Sequence, residues 1–386
     1  MGINGRLVLV FCLGVAFLTL PGCSGGGASS TPAIAEPVAK AVPKTLEKHG
    51  HERVDPYYWL NEREDPEVIA YLEAENEYAD KVMAHTDEFK AALFEEIKDR
   101  IKKDDSSVPY LDEGFYYYAR FEKDGEYAIY CRKKGSLEAD EQIMLDSNQL
   151  AEGHEYFSAR GLAVSSGNDI LAFATDTVGR RIYTLHFLNL DTGEYLDDVI
   201  PEVTGNVAWA NDNKTVFYSK QDLQTLRSYQ VYRHELGTDP AQDELVFQED
   251  DDTFRSFVFK TKSKKYLMIG SFHTLSSEIR FLDAGKPGGE FQIFLPRERD
   301  HEYSVDHYGD EFFIRTNWKA KNFRLMKTAV DKTKKKHWED VIAHRASSTP
   351  SPTYEAAKSW AGSGTRTENC STRRTPSPTS STAPST

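Results

Sequence analysis

Residues able to do chemistry are plentiful in this 386-residue chain, but their spacing assembles no site. One G-x-S-x-G pattern occurs, Gly22-Cys23-Ser24-Gly25-Gly26. A nucleophilic serine on such an elbow needs a buried strand before it and a helix after it. Here an apolar leader precedes the pattern and a Gly/Ser/Ala/Pro stretch follows, so it receives no catalytic role. Eleven histidines are scattered along the chain. His49-Gly50-His51 is their densest pair, yet no third or fourth ligand lies at a usable spacing, and a structural role is the expectation. Acidic runs such as Glu249 to Asp252 read as turns rather than as acid/base pairs. There is no P-loop and no dinucleotide-binding glycine fingerprint. From the residues alone, no catalytic residue, no cofactor and no metal are expected.

Composition narrows the partners. The formal net charge is −14 and the pI about 5.3, so no basic face is available to neutralise phosphates and no nucleic-acid partner is expected. The short basic runs, Lys260 to Lys265 and Lys332 to Lys336, read as solvated turns. Of four cysteines, Cys12 and Cys23 fall in the leader and Cys370 in a low-complexity tail, which leaves Cys131 in the folded part and no expected disulfide.

The elements that would position any site begin after residue 45. Residues 1–23 read as a targeting segment: Arg6, then an apolar run from Leu7 to Leu20 that is too short for a comfortable membrane span. Its end, Leu20-Pro21-Gly22-Cys23-Ser24, resembles a bacterial lipobox, which implies cleavage before Cys23 and lipid on that residue. The alternative is an ordinary secretory signal cut elsewhere. Residues 24–45 read as a flexible tether. In residues 46–105, Asp65-Pro66-Glu67 has the chemistry of a helix start, with Val68, Leu72, Ala79 and Val82 along one face. Thr86-Asp87-Glu88 starts a second helix with the stripe Phe89, Leu93, Ile97, Ile101.

From Val108 the pattern alternates with period two. Apolar runs begin at Gly114, Ile170, Thr215, Tyr266 and Glu311, 45 to 56 residues apart, which is the length of a four-stranded propeller blade. Turn signals separate the strands, including Gly167-Asn168-Asp169, Asn211-Asp212-Asn213 and Lys286-Pro287-Gly288-Gly289. The fold class expected is mainly β: about five blades of a β-propeller over residues 106–345, preceded by a helical segment. An irregular β-sandwich is the alternative. Residues 346–386 are mostly Ser, Thr, Pro, Ala, Gly and Arg, and cannot bury enough surface to order themselves. The change falls within a blade that Trp338 and Val341-Ile342 still build, so the tail is expected to be the out-of-frame product of a frameshift.

The stretch His49 to Leu60, H-G-H-E-R-V-D-P-Y-Y-W-L, and the helix carrying Glu73-Ala74-Glu75-Asn76-Glu77-Tyr78 give the chain a family likeness. So do Phe89 to Asp105, Gly114 to Arg120 and Met144 to Phe157. Together, from about Lys48 to about Arg345, they resemble the prolyl oligopeptidase family of serine peptidases, in its oligopeptidase B (protease II) branch. That resemblance implies a seven-bladed propeller capping an α/β-hydrolase domain that carries the Ser, Asp and His triad. It also implies cleavage of short peptides after Lys or Arg, with the propeller keeping large folded proteins away.

The triad, the nucleophile elbow and the basic-residue pocket have no counterpart in these 386 residues, so no catalytic residue is carried over. Two functions remain open: the N-terminal part of an exported, lipid-anchored oligopeptidase facing the periplasm and inactive alone, or a non-catalytic propeller lipoprotein that binds peptides or protein partners. In the family the segment before the propeller packs with the hydrolase domain. Tyr57, Tyr58 and Trp59 are therefore expected to dock on that missing domain, the alternative being that they fold back on the blades.

Overall fold

The computed structural model describes residues 34–342. Cys23, the expected tether up to residue 33 and the tail from 346 onward lie outside the described residues. The chain divides into two compact units, one ending at Lys102 and one beginning at Lys103.

The first unit opens with a hairpin of β1 (Lys44–Lys48) and β2 (His51–Asp55), in which Lys48 pairs with His51. Its turn is His49-Gly50, both at positive φ, 55° and 75°. That is the backbone of a type I′ turn, which is what this dipeptide supplies. A 3-10 turn over Tyr58–Asn61 leads to α1 (Pro66–Met83). The Asp65 carboxylate accepts a 2.8 Å bond from the Glu67 amide and Pro66 takes the first helical position, as the sequence indicates. Helix α2 (Asp87–Asp99) follows. Its start lacks a side-chain cap, because the Thr86 hydroxyl donates back to the Met83 carbonyl at 2.7 Å.

The second unit is an arc of five four-stranded antiparallel blades, and the β-sandwich alternative is set aside. Blade I contains β3 (Tyr110–Asp112), β4 (Phe115–Arg120), β5 (Ile129–Lys134) and β6 (Glu141–Asp146), followed by the short helix α3 (Ser147–Ala151). Blade II contains β7 (Ser158–Val164), β8 (Ile170–Asp176), β9 (Tyr183–Asn189) and the first half of β10 (Tyr195–Trp209). The second half of β10 becomes the inner strand of blade III, with β11 (Thr215–Gln221), β12 (Ser228–Glu235) and β13 (Glu244–Gln248). The pairing register shifts between Val203 and Val207, around Gly205 at φ 78°. A β-carbon at Gly161 of β7 would lie 2.2 Å from the Gly205 carbonyl oxygen, so the inner strands of blades II and III approach too closely there for any side chain. Blade IV contains β14 (Arg255–Lys260), β15 (Tyr266–His273), β16 (Ser276–Asp283) and β17 (Gln292–Leu295). Blade V contains β18 (Tyr303–Tyr308), β19 (Glu311–Thr316), β20 (Arg324–Ala329) and β21 (Glu339–Ile342). Blade V thus has all four strands by Ile342, so the compositional break at Ala346 follows a finished blade rather than interrupting one.

The five apolar runs are the second strands of their blades, β4, β8, β11, β15 and β19. Alternation lets each serve two layers. In β8, Leu171 and Phe173 pack toward blade I while Ala172 and Ala174 pack toward blade III. In β11, Val216 and Tyr218 face blade II and Phe217 faces blade IV. In β15, Leu267 and Ile269 face blade III, and Tyr266 and Met268 face blade V. The most apolar strand is therefore the second from the channel, not the innermost; β7 has no fully buried residue. Each blade also turns from its first to its second strand through a left-handed residue, Glu113, Asn168, Asn213, Lys264 or Gly309.

Polar clamps tie the layers. The Trp209 indole donates to the Ala163 carbonyl at 2.9 Å, and the Asn206 side chain bonds both backbone groups of Val258, at 2.8 and 2.9 Å. Between blades II and III, His234 is fully buried with Nδ1 2.7 Å from Asp243 and Nε2 3.0 Å from Asp198. Burial pulls the imidazolium pKa down, but bonds and charge from Asp243 and Asp198 outweigh it, so the net shift is upward from 6.5. A raised folded-state pKa means that stabilisation is complete below about pH 6.5 and is lost as pH rises through the folded value. Replacing His234 by Gln strands two buried carboxylates and is expected to cost about 3 kcal/mol in urea unfolding. It should also remove the fall in wild-type stability above pH 6.5. A variant as stable as wild type, with the same pH slope, would refute the clamp.

Candidate functional site

Two surfaces of the chain are arranged for something other than internal packing. The first is in the N-terminal unit. The Trp59 indole donates to the Lys40 carbonyl at 2.9 Å and meets the Tyr71 ring edge-on at 6.3 Å. The Lys44 ammonium sits 3.8 Å over the Tyr58 ring. Tyr57 is held by its amide, which donates to Asp55 at 3.0 Å, while its ring is about half exposed. The aromatic triplet is thus partly engaged within its own unit.

The larger open face lies on the helices. Val68 is the one buried residue of α1, and α2 has none. On α2, Phe89 is 68% exposed, Phe94 62% and Ile97 53%, with Ile101 just beyond; Leu72 and Met83 add to the open apolar area from α1. The stripe Phe89, Leu93, Ile97, Ile101 announces this face in the sequence. An apolar helix face left exposed among the described residues has the character of an interface, since monomers rarely leave such stripes wet.

The second surface is the end of the propeller channel where the first hairpin of every blade turns. Blade I brings Asp112 and Glu113 there, blade III Asp212, and blade IV Lys260 and Lys264. The Lys264 ammonium is 2.8 Å from Asp112. Lys260 is half-buried, with its ammonium 3.5 Å from the Ser166 hydroxyl of blade II. Burial and the neighbouring Lys264 push the Lys260 pKa down to about 8, against the pull of Glu113, Asp212 and Asp112. The turn Lys260 to Lys265 is therefore not the free, solvated loop its composition suggests. Lys335 of the second basic run is likewise spent, on Glu298 at 2.7 Å with its side chain 16% exposed. Sequence alone could not reveal either, because each partner is remote in the chain.

Among the described residues, neither surface groups its side chains into a metal cluster: no three His, Cys, Asp or Glu side chains come together to hold a metal ion. His49 and His51 are exposed on either side of the Gly50 turn. Burial and Glu141 push the Cys131 thiol up to about 11, which removes it as a nucleophile at neutral pH. His234 has the carboxylate partner of a catalytic dyad, but both ring nitrogens are occupied by carboxylates, Asp243 and Asp198.

A family model described as "Prolyl oligopeptidase, N-terminal beta-propeller domain" matches residues 37–359. The chain belongs to the prolyl oligopeptidase family. It is 41% identical over 342 residues to a protein named dipeptidyl aminopeptidase BI from Pseudoxanthomonas mexicana, covering 82% of this chain and 47% of that protein. It is 35% identical over 302 residues to protease 2 from Moraxella lacunata, covering 76% of this chain and 44% of the relative. Among solved structures it is similar to oligopeptidase B from Leishmania major, with TM-score 0.71 and 28% identity over 79% of this chain and 46% of that one. Oligopeptidase B from Trypanosoma brucei aligns with TM-score 0.72 and 27% identity, over 81% of this chain and 47% of that one. The chain thus spans about half the length of the curated relatives it matches, and the fold it shares with them is their propeller. The resemblance read from His49 to Leu60 and the segments after it is borne out at the level of family and branch.

The electrostatics at the channel end are directly measurable. After reductive methylation with labelled formaldehyde, the Lys260 resonance should titrate near pH 8, and Lys264→Met should move that midpoint upward by removing a repulsive charge. A Lys260 signal titrating with the bulk lysines would contradict the described environment.

Proposed function

We propose that this chain is the propeller and N-terminal segment of a serine-type oligopeptidase that cleaves short peptides after Lys or Arg, and that it is inactive by itself. The observation that carries this reading is the coverage: the match falls on one half of proteins named as peptidases, and no nucleophile–base pair is found in the described residues. Peptidase activity would then depend on a hydrolase part held against the open face of α1 and α2, with Tyr57, Tyr58 and Trp59 at the edge of the same contact. Burying rings and aliphatic side chains of this size is worth roughly 1.5–3 kcal/mol each, which supports a stable domain contact there.

The specificity has two readings. The oligopeptidase B likeness implies cleavage after Lys or Arg. The 41% identity to a protein named dipeptidyl aminopeptidase favours release of dipeptides from N-termini as the second reading. A non-catalytic propeller lipoprotein is the competing class. These separate in one experiment, in which the chain is incubated with a fluorophosphonate probe alone and then co-expressed with the C-terminal half of the Moraxella lacunata protease 2. Alone, no covalent labelling is expected. Together, labelling should appear, and the products of a mixed peptide pool should end in Lys or Arg. Products that are N-terminal dipeptides would move the assignment to the second reading, and labelling of the chain alone would overturn its inactivity. Phe89→Asp with Phe94→Asp should abolish complementation while changing the chain's own stability by less than about 0.5 kcal/mol, as expected for exposed positions.

Export and anchoring follow from the leader. The chain would be lipid-anchored to a bacterial membrane through Cys23, facing the periplasm, with residues 24–45 as the spacer. Cys23→Ser should abolish incorporation of labelled palmitate and release the protein from the membrane fraction; undiminished labelling would remove the lipoprotein assignment.

A further inference from the structure

The turn between the first two strands of blade IV is the densest basic stretch of the inner hairpins, K-T-K-S-K-K from Lys260 to Lys265. The charges that the other inner hairpins bring to this end of the channel include Asp112 and Glu113 of blade I, Asp212 of blade III, and Asp306 and Asp310 of blade V. Asp212 is used within its own turn, accepting from the amides of Lys214 and Thr215 at 3.1 and 2.9 Å. Asp306 accepts from the Lys262 amide at 2.9 Å, and the Ser263 hydroxyl is 2.8 Å from Nδ1 of His307, so the turn is fastened to blade V, its neighbour. The Lys264–Asp112 pair is different in kind. Its residues are 152 apart in sequence and lie in blades I and IV, which share no layer of the core. Blades II and III intervene in the arc, so this ion pair crosses the channel instead of sealing a seam between neighbouring blades. Lys264 is held in the left-handed conformation at φ 60°, which helps aim its side chain, and the like charge of Lys260 favours its extension toward Asp112.

The geometry points to the Lys264–Asp112 pair as a cross-channel brace, which holds blade I against blade IV at the channel mouth and is released by competing ions. Its two side chains are 41% and 42% exposed, so solvent ions reach them and screen their attraction. That makes the pair a reversible tie, unlike the fully buried His234 clamp. The brace concerns the propeller alone and stands whether or not the peptidase reading holds.

Hydrogen–deuterium exchange of the whole chain tests it without any assay of activity. Raising NaCl from about 20 mM to about 500 mM shortens the Debye length several-fold. In the wild type, amide exchange in segments 110–116 and 261–266 should then rise about two- to five-fold, the size of effect a partly exposed ion pair commands. Asp112→Asn and Lys264→Met should each show the faster exchange already at low salt and respond little to more. Reversing the pair, Asp112→Lys with Lys264→Asp, should restore protection. Exchange from β8 and β11, buried on both faces, serves as the folding control and should not move. The brace is overturned if either single variant matches wild type at low salt, or if salt accelerates wild type and Asp112→Asn equally. A reversed pair that fails the folding control leaves the decision with the single variants and the salt series.

Discussion

The structure depends on strands that are buried on both faces. A β-strand sends successive side chains to opposite sides, so one run of five or six apolar residues can feed two separate hydrophobic layers. In this chain β8, β11 and β15 do so. Four layers hold five blades, and each layer is made of side chains from two neighbours. No blade is stable by itself on this plan; removing one would expose half of each adjoining layer. The same logic explains the first and last blades. On β19, Phe312 and Ile314 enter the layer with blade IV, whereas Phe313 and Arg315 point the other way and stay partly exposed. On β4, the opposite face carries Tyr118, whose hydroxyl bonds Glu141 together with Arg120. Outward faces with polar partners tolerate water where inward faces do not.

This constraint also decides what the sequence could reveal. The second strands were legible because their two-sided burial writes an unbroken apolar run, bounded by turn residues that must adopt positive φ. Asn168 and Asn213 sit where those signals place them. The Asp65-Pro66 helix start was legible for the same local reason. What sequence could not reveal is whatever joins distant segments. The single strand β10 serving two blades looks, in one dimension, like a strand, an irregular stretch and another strand, since Pro201 and Gly205 interrupt its pattern. His234 reads as one more scattered histidine until Asp198, 36 residues away, is folded against it. Lys264 reads as a solvated lysine until blade I returns to face it. The aromatic triplet drew attention by composition, while the wider face on α2 was visible as a stripe but not as an exposed one. Periodicity reports that a face exists, not whether this chain covers it.

The two charged clusters show how burial sorts similar chemistry into different roles. His234 between two carboxylates is shut away from water, and each of its nitrogens has a partner. Its charge is favoured by both carboxylates, and the cost of desolvation is offset only while all three groups remain together. Lys264 and Asp112 form an ion pair of comparable length in contact with solvent, where making and breaking it costs little. The first can hold two blades in register; the second can respond to its surroundings.

The same comparison explains why a histidine flanked by aspartates is poorly placed to act as a general base. A general base needs one ring nitrogen free to take a proton and a donor within hydrogen-bond reach of it. In His234 both nitrogens lie within hydrogen-bond distance of carboxylates, Asp243 and Asp198, and these partners raise its pKa, so neither nitrogen is left open to take a proton from a substrate. The Tyr218 hydroxyl, which shares Asp243 with His234, is bonded to that carboxylate at 2.8 Å, and burial together with that bond raises its pKa. Geometry that resembles two-thirds of a catalytic triad therefore serves cohesion. His234, Asp198, Asp243 and Tyr218 are thus engaged with one another between blades II and III, which is a structural arrangement rather than one open to a substrate.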